Sequence, residues 1–121
     1  MQDHRRLEIW NRACALAVAV RAAADRFPRR GFGELKEQMI SAAESVAHTI
    51  VEGCGADTQK EFARYLGLSI KSNRELEGEL ELARRNHILL AEDHRLLTDE
   101  TVLIRKKTYT LRKKVLDSDS P

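Results

Sequence analysis

The chain has 121 residues, 42% of them hydrophobic and 33% charged, with a net charge of only +2. That length suits one domain with its own core, residues 1–121, and the composition excludes a disordered chain. The small net charge excludes a polyanion-binding surface spread over the whole molecule.

A first helix is expected over about 5–27. Leu7, Trp10, Cys14, Ala17 and Ala24 recur at three-, four- and seven-residue steps, and Ile9, Leu16, Val20, Ala23 and Phe27 form an adjacent stripe. Together they make an apolar face wide enough for two neighbours. Pro28 and the RRGFG that follows end it. A second helix is expected over about 34–53, with Leu35, Met39, Ala42, Val46 and Ile50 as its seam. Gly53-Cys54-Gly55 should close it through glycine in the left-handed conformation. Thr58-Gln59-Lys60-Glu61 is a capping box that opens a third helix over about 58–86. Its seam is Phe62, Leu66, Ser69, Asn73, Leu76, Leu80 and Ala83. Ser69 and Asn73 there fix register if they find partners. A fourth helix is expected over about 92–116, with Leu97, Thr101, Ile104, Thr108, Leu111 and Val115 as its seam and a frayed tail over 117–121. Four helices with short connections and no strand signal define an all-α, antiparallel up-down-up-down four-helix bundle.

No apolar run approaches the roughly 20 residues of a membrane helix, and the start MQDHRRLEIW has no hydrophobic signal core. A cytoplasmic, reduced setting without membrane contact is therefore expected. Cys14 and Cys54 lack CxxC spacing, and Cys14 reads as a small buried apolar residue.

Charge is unevenly placed. Residues 1–30 carry +4, residues 34–86 carry −3 and residues 95–116 carry +5. On the fourth helix, Arg105, Lys106, Lys107, Arg112, Lys113 and Lys114 put six cations in ten residues, away from the seam. A cluster of that density can bind phosphate without any motif. Val102, Tyr109 and Leu116, spaced by seven, make a second apolar line on that side, as an oligomer interface requires. The bland alternative is a solvated basic face with scattered apolar residues.

Catalytic signals are weak. Glu44-x-x-x-His48-x-x-x-Glu52 makes one polar helix stripe, which would bind a metal only if another helix added ligands; no metal or cofactor is expected. Glu75, Glu77, Glu79 and Glu81 split between two helix faces, 75 with 79 and 77 with 81. Lys71–Glu75 and Glu81–Arg85 have ion-pair spacing. GFGEL lacks the lysine and the strand of a phosphate loop. The chain reads as non-enzymatic.

Several motifs, in order, resemble a known family. They are Leu7, Trp10 and Ala13 in the first helix; Phe27-Pro28 at its end; Ser45-Val46-Ala47-His48-Thr49-Ile50-Val51-Glu52-Gly53; Lys60-Glu61-Phe62-Ala63-Arg64-Tyr65-Leu66; and Ser72-Asn73-Arg74-Glu75-Leu76-Glu77. Residues 7–83 thereby resemble the four-helix-bundle family linked to intervening sequences in bacterial large-subunit ribosomal RNA, once counted among ribosomal proteins. The family is a distant relative of the accessory variability determinant of diversity-generating retroelements. The resemblance implies a bundle assembled into a homopentameric ring, with basic surfaces that meet RNA, DNA or a reverse transcriptase. The alternative is a protein-interaction scaffold with no nucleic-acid contact. This chain departs from the pattern at Ile40 and Ser41, where relatives carry arginines, and at Ala47, Thr49 and Lys71.

Overall fold

The computed structural model describes residues 2–118 and, among them, four α-helices, one short 3-10 turn and no strand. The helices are α1 (Glu8–Ala24), α2 (Gly33–Cys54), α3 (Gln59–Arg85) and α4 (Ala91–Ser118). Each packs on its successor, and α4 closes back onto α1.

Most of the periodic seams become the core, but of the first stripe on α1 Leu7, Trp10, Cys14 and Ala17 are only half-buried, and the Ile9–Phe27 stripe faces inward instead. Val20, Met39, Val46, Ile50, Leu66, Leu76, Leu80 and Ile104 are fully buried. Of the polar seam residues, Ser69 finds a partner on another helix, whereas Asn73 bonds only within α3 and its Oδ1 is buried without a partner among the described residues. Ser69 Oγ donates to the Val46 carbonyl at 2.9 Å, which ties α3 to α2, and Asn73 Nδ2 donates to the Ser69 carbonyl at 3.0 Å. Thr101 and Thr108 turn their hydroxyls onto carbonyls one turn back, both at 2.7 Å, so neither stays unpaired in the core.

Three boundaries differ from the sequence reading. α1 starts at Glu8 rather than near Arg5. Asp3 accepts from the Arg5 amide and caps a separate turn over His4–Arg6, and extended Leu7 separates that turn from the helix. α1 also ends at Ala24, before Phe27. α4 runs through Asp117 and Ser118, which were expected to fray; residues 119–121 lie outside the described residues.

The glycines after Val51 serve a different purpose from the one expected. α2 runs on to Cys54, and Gly55 has a right-handed φ of −86°. Gly53 instead permits close approach: a Cβ there would lie 2.8 Å from Tyr65 Cβ and 3.0 Å from the Phe62 ring. α2 and α3 therefore touch where α3 begins. The left-handed residue that ends a helix is His87, at φ 60°, after α3. The capping box forms as read, with Thr58 Oγ1 accepting from the Glu61 amide at 3.1 Å.

Candidate nucleic-acid interface

The six cations of α4 meet different fates. Arg105 points to α3, where its Nε donates to Glu77 Oε2 at 2.7 Å and its Nη2 to Oε1 at 3.3 Å. Both side chains are only about one-fifth exposed, at 18% and 21%. Arg112 Nε donates to the Ala63 carbonyl at 2.9 Å, and its guanidinium covers Gly67, where a side chain would crowd it. Lys107 Nζ reaches Glu8 on α1 at 3.0 Å. Hydrogen bonds from Lys107 and then Arg12 hold the Glu8 carboxyl below its ordinary range. These three cations thus join α4 to its two neighbours.

The other three are open. Lys106, Lys113 and Lys114 are exposed, and none has a carboxylate within 4 Å among the described residues. Of the apolar line on the same helix, Val102 is half-buried within the fold, whereas Tyr109 and Leu116 are 60% and 37% exposed. The structure also brings up two residues to which sequence reasoning gave no site role. Ile70 and Arg74, one turn apart on α3, lie across a cleft from Lys106 and Tyr109. Their i,i+4 spacing was visible in the sequence; their facing α4 was not. A further apolar surface lies on α1, where Ala15, Val18, Ala19 and Ala22 are exposed with no charged residue between Arg12 and Arg21.

The acidic residues segregate in the other direction. Glu34, Glu37, Glu75 and Glu79 line a groove of about 470 Å³ between α2 and α3. None of the four has a cationic partner among the described residues. Burial first, and then the Glu75 charge, push the Glu79 carboxyl up to about 7. Its Oε1 is buried without a hydrogen-bond partner among the described residues. Two positions on, Glu81 is held down to about 2 by hydrogen bonds from Arg84 and then Arg85. The Glu81–Arg85 pair expected from spacing forms at 2.9 Å; a Lys71–Glu75 pair is absent among the described ion pairs.

The Glu44–His48–Glu52 stripe divides between partners, with Arg21 on Glu44 at 3.1 Å and His48 on Glu52 at 3.2 Å. Among the described residues, no three His, Cys, Asp or Glu are grouped to hold a metal ion. Cys54 is buried, but Cys14 is only half-buried, since it borders an open groove between α1 and α2 with Trp10 and His48. Burial raises both thiols above their ordinary values. No helix among the described residues is long and apolar enough to cross a membrane.

Fold and surface together define an all-helical protein of four packed helices with cations gathered on its last helix. The chain belongs to the 23S rRNA-intervening sequence protein family, whose model matches residues 5–110. Its fold is similar to the crystal structure of a protein of unknown function from the S23 ribosomal protein family of Bacteroides thetaiotaomicron VPI-5482. The two are 20% identical with a TM-score of 0.81, over 87% of this chain and 98% of that one. No curated protein matches the chain.

Proposed function

We propose that this protein is a non-enzymatic, cytoplasmic, self-associating bundle that offers the basic side of α4 to nucleic acid phosphates. The observation that carries this reading is the set of open cations, Lys106, Lys113 and Lys114, on one helix whose other cations are engaged within the fold. An unpaired ammonium releases counterions when it meets a phosphate, whereas a paired one must first break its own contact. The family's own description names a ribosomal RNA intervening sequence, which makes structured RNA the natural first probe.

The reading includes antiparallel neighbours throughout. Residue pairs support it: as numbers rise along α1 and the turn after it, partners fall along α4, from Glu8–Lys107 through Arg12–Glu100 to Arg26–Asp93. The same order holds between α3 and α4, from Ala63–Arg112 to Glu77–Arg105. It also includes a homopentameric ring, the assembly the sequence resemblance implies. The exposed apolar face of α1 supports self-association, because small side chains let another helix approach closely. A ring would repeat the basic patch on every subunit.

The test is affinity for structured RNA and duplex DNA across a salt series, with nuclease-treated protein. The reading requires a log–log slope of several units, reflecting several phosphates. A second reading, a scaffold for a protein such as a reverse transcriptase, draws on the same α1 face. No association with either nucleic acid at low salt would favour it.

A further inference from the structure

Between α3 and α4, Ile70, Arg74, Arg105, Lys106, Tyr109 and Thr110 line a cleft of about 360 Å³. Its composition is unlike that of the other surfaces. It combines an aromatic ring, an aliphatic side chain and three cations. Tyr109 is 60% exposed, although a tyrosine on a helix packed against a neighbour ordinarily turns its ring inward. The ring face is also uncovered by cations: the cation–ring contact among the described residues is Arg64 over Tyr65, elsewhere on α3.

The cations of the cleft are not equivalent. Arg105 is fixed by Glu77 and forms a charge-balanced wall. Arg74 and Lys106 are exposed, with no carboxylate within 4 Å among the described residues. Thr110 Oγ1 donates to the Lys106 carbonyl at 3.1 Å, and its oxygen can still accept a hydrogen bond. The cleft therefore offers a flat π-face beside an apolar residue, two unbalanced positive charges and one acceptor.

Resting on the nucleic-acid reading above, we infer that this cleft holds one unpaired nucleotide of a single strand. Its base lies on Tyr109 against Ile70, and its phosphate sits between Arg74 and Lys106. The volume lies near the lower end of the range for small-ligand sites, roughly 300–1,000 Å³, which suits one nucleotide rather than a run of them. A base in a duplex has both faces stacked and cannot lie on a side-chain ring, so the site selects looped or single-stranded segments. Stacking is indifferent to base identity, and no fixed donor–acceptor pair in the cleft reads a base edge, so the site is tolerant of sequence. An acidic peptide would use the cations but leave the ring without a partner. Tyr109 is thereby reassigned from the subunit contact expected from the seven-residue line to the ligand.

The test compares the full chain with Tyr109→Ala, Tyr109→Phe and the Arg74→Gln/Lys106→Gln pair. The probes are a short fluorescein-labelled oligouridylate and an RNA duplex of equal length. Tyr109→Ala should weaken oligouridylate binding about tenfold, within the range measured for base–aromatic stacking, without changing the salt slope. Tyr109→Phe should stay within about twofold of the parent, because the π-face is retained. Neither change should alter duplex affinity. The charge pair should flatten the single-strand slope by about 0.7, one phosphate's worth. Parental oligouridylate affinity in Tyr109→Ala, or an equal loss on both probes, overturns the inference and leaves the basic-surface reading standing. So does a drop in particle mass in that variant, which would return Tyr109 to a subunit contact. If the parent binds neither probe at low salt, both the reading and the inference fail together.

Discussion

The two edges of α3 carry the same residue type to opposite ends. On the edge facing α2, Glu75 and Glu79 join Glu34 and Glu37 in a groove with no cationic partner among the described residues. On the edge facing α4, Glu77 is locked to Arg105, and Glu81 is surrounded by Arg84, Arg85 and His94. The contrast is sharpest between Glu79 and Glu81, two positions apart, with carboxyls displaced to about 7 and about 2. The difference comes from burial without a cationic partner at Glu79, and at Glu81 from arginines one turn on along α3 itself. The acidic middle of the sequence thus divides between an unpartnered groove against α2 and a paired edge against α4. Arg105, which Glu77 neutralises, lines the same cleft as the open Lys106, so Glu77 adds no surplus negative charge there to repel a phosphate.

The comparison breaks most readily at its tightest point. Glu77→Gln removes one member of a pair that is about four-fifths buried and leaves Arg105 with a neutral acceptor. Losing one partner of such a pair costs more than the pair itself contributes, because the remaining charge stays desolvated. The expected destabilisation is about 2 kcal/mol, measured by urea unfolding. An unchanged midpoint would mean that Arg105 simply swings out to water.

A smaller effect of opposite sign is expected on the other edge. The folded protein holds the Glu79 proton up to a pH of about 7, whereas an unfolded glutamate releases it near 4.5. Between those values the folded state binds more protons, so stability falls as pH rises through this window. Glu79→Gln should abolish the fall. It should raise stability at pH 8 by about 1 kcal/mol, well below the full shift because solvent reaches the groove, and change little at pH 4. Thermal melts at pH 4 and pH 8 decide it; a variant less stable at pH 8 would show that the carboxylate has a partner in solution.

Much of this was legible in the sequence, for one physical reason: a helix repeats every 3.6 residues, so spacing reports faces. The seams of α2, α3 and α4 became buried residues, down to polar Ser69, Asn73, Thr101 and Thr108, except Leu35 and Leu111, which are half-buried at their edge. The same periodicity split the four glutamates into the correct pairs. What could not be read was what each face meets. Arg105 and Arg112 find partners 28 and 49 residues away, and no local rule connects them. Gly53 looked like a helix terminator because glycine usually ends helices; its close neighbour, Tyr65, lies on the next helix. Cys14 looked internal from its heptad position, yet α1 and α2 leave a groove along that line. The cleft at Tyr109 needed α3 to bring Ile70 and Arg74 opposite α4.

The central claim is that the open lysines of α4, joined at the cleft by Arg74 of α3, supply the charge used on nucleic acid, and that exposed cations elsewhere do not. The direct test sets Lys106→Gln/Lys113→Gln/Lys114→Gln against Arg29→Gln/Arg30→Gln, all at exposed positions, with structured RNA across a salt series. The account requires the α4 variant to lose affinity and to flatten the salt slope by about 2, while the control keeps the parental slope. Equal losses in the two variants, or an unchanged slope in the first, would contradict it.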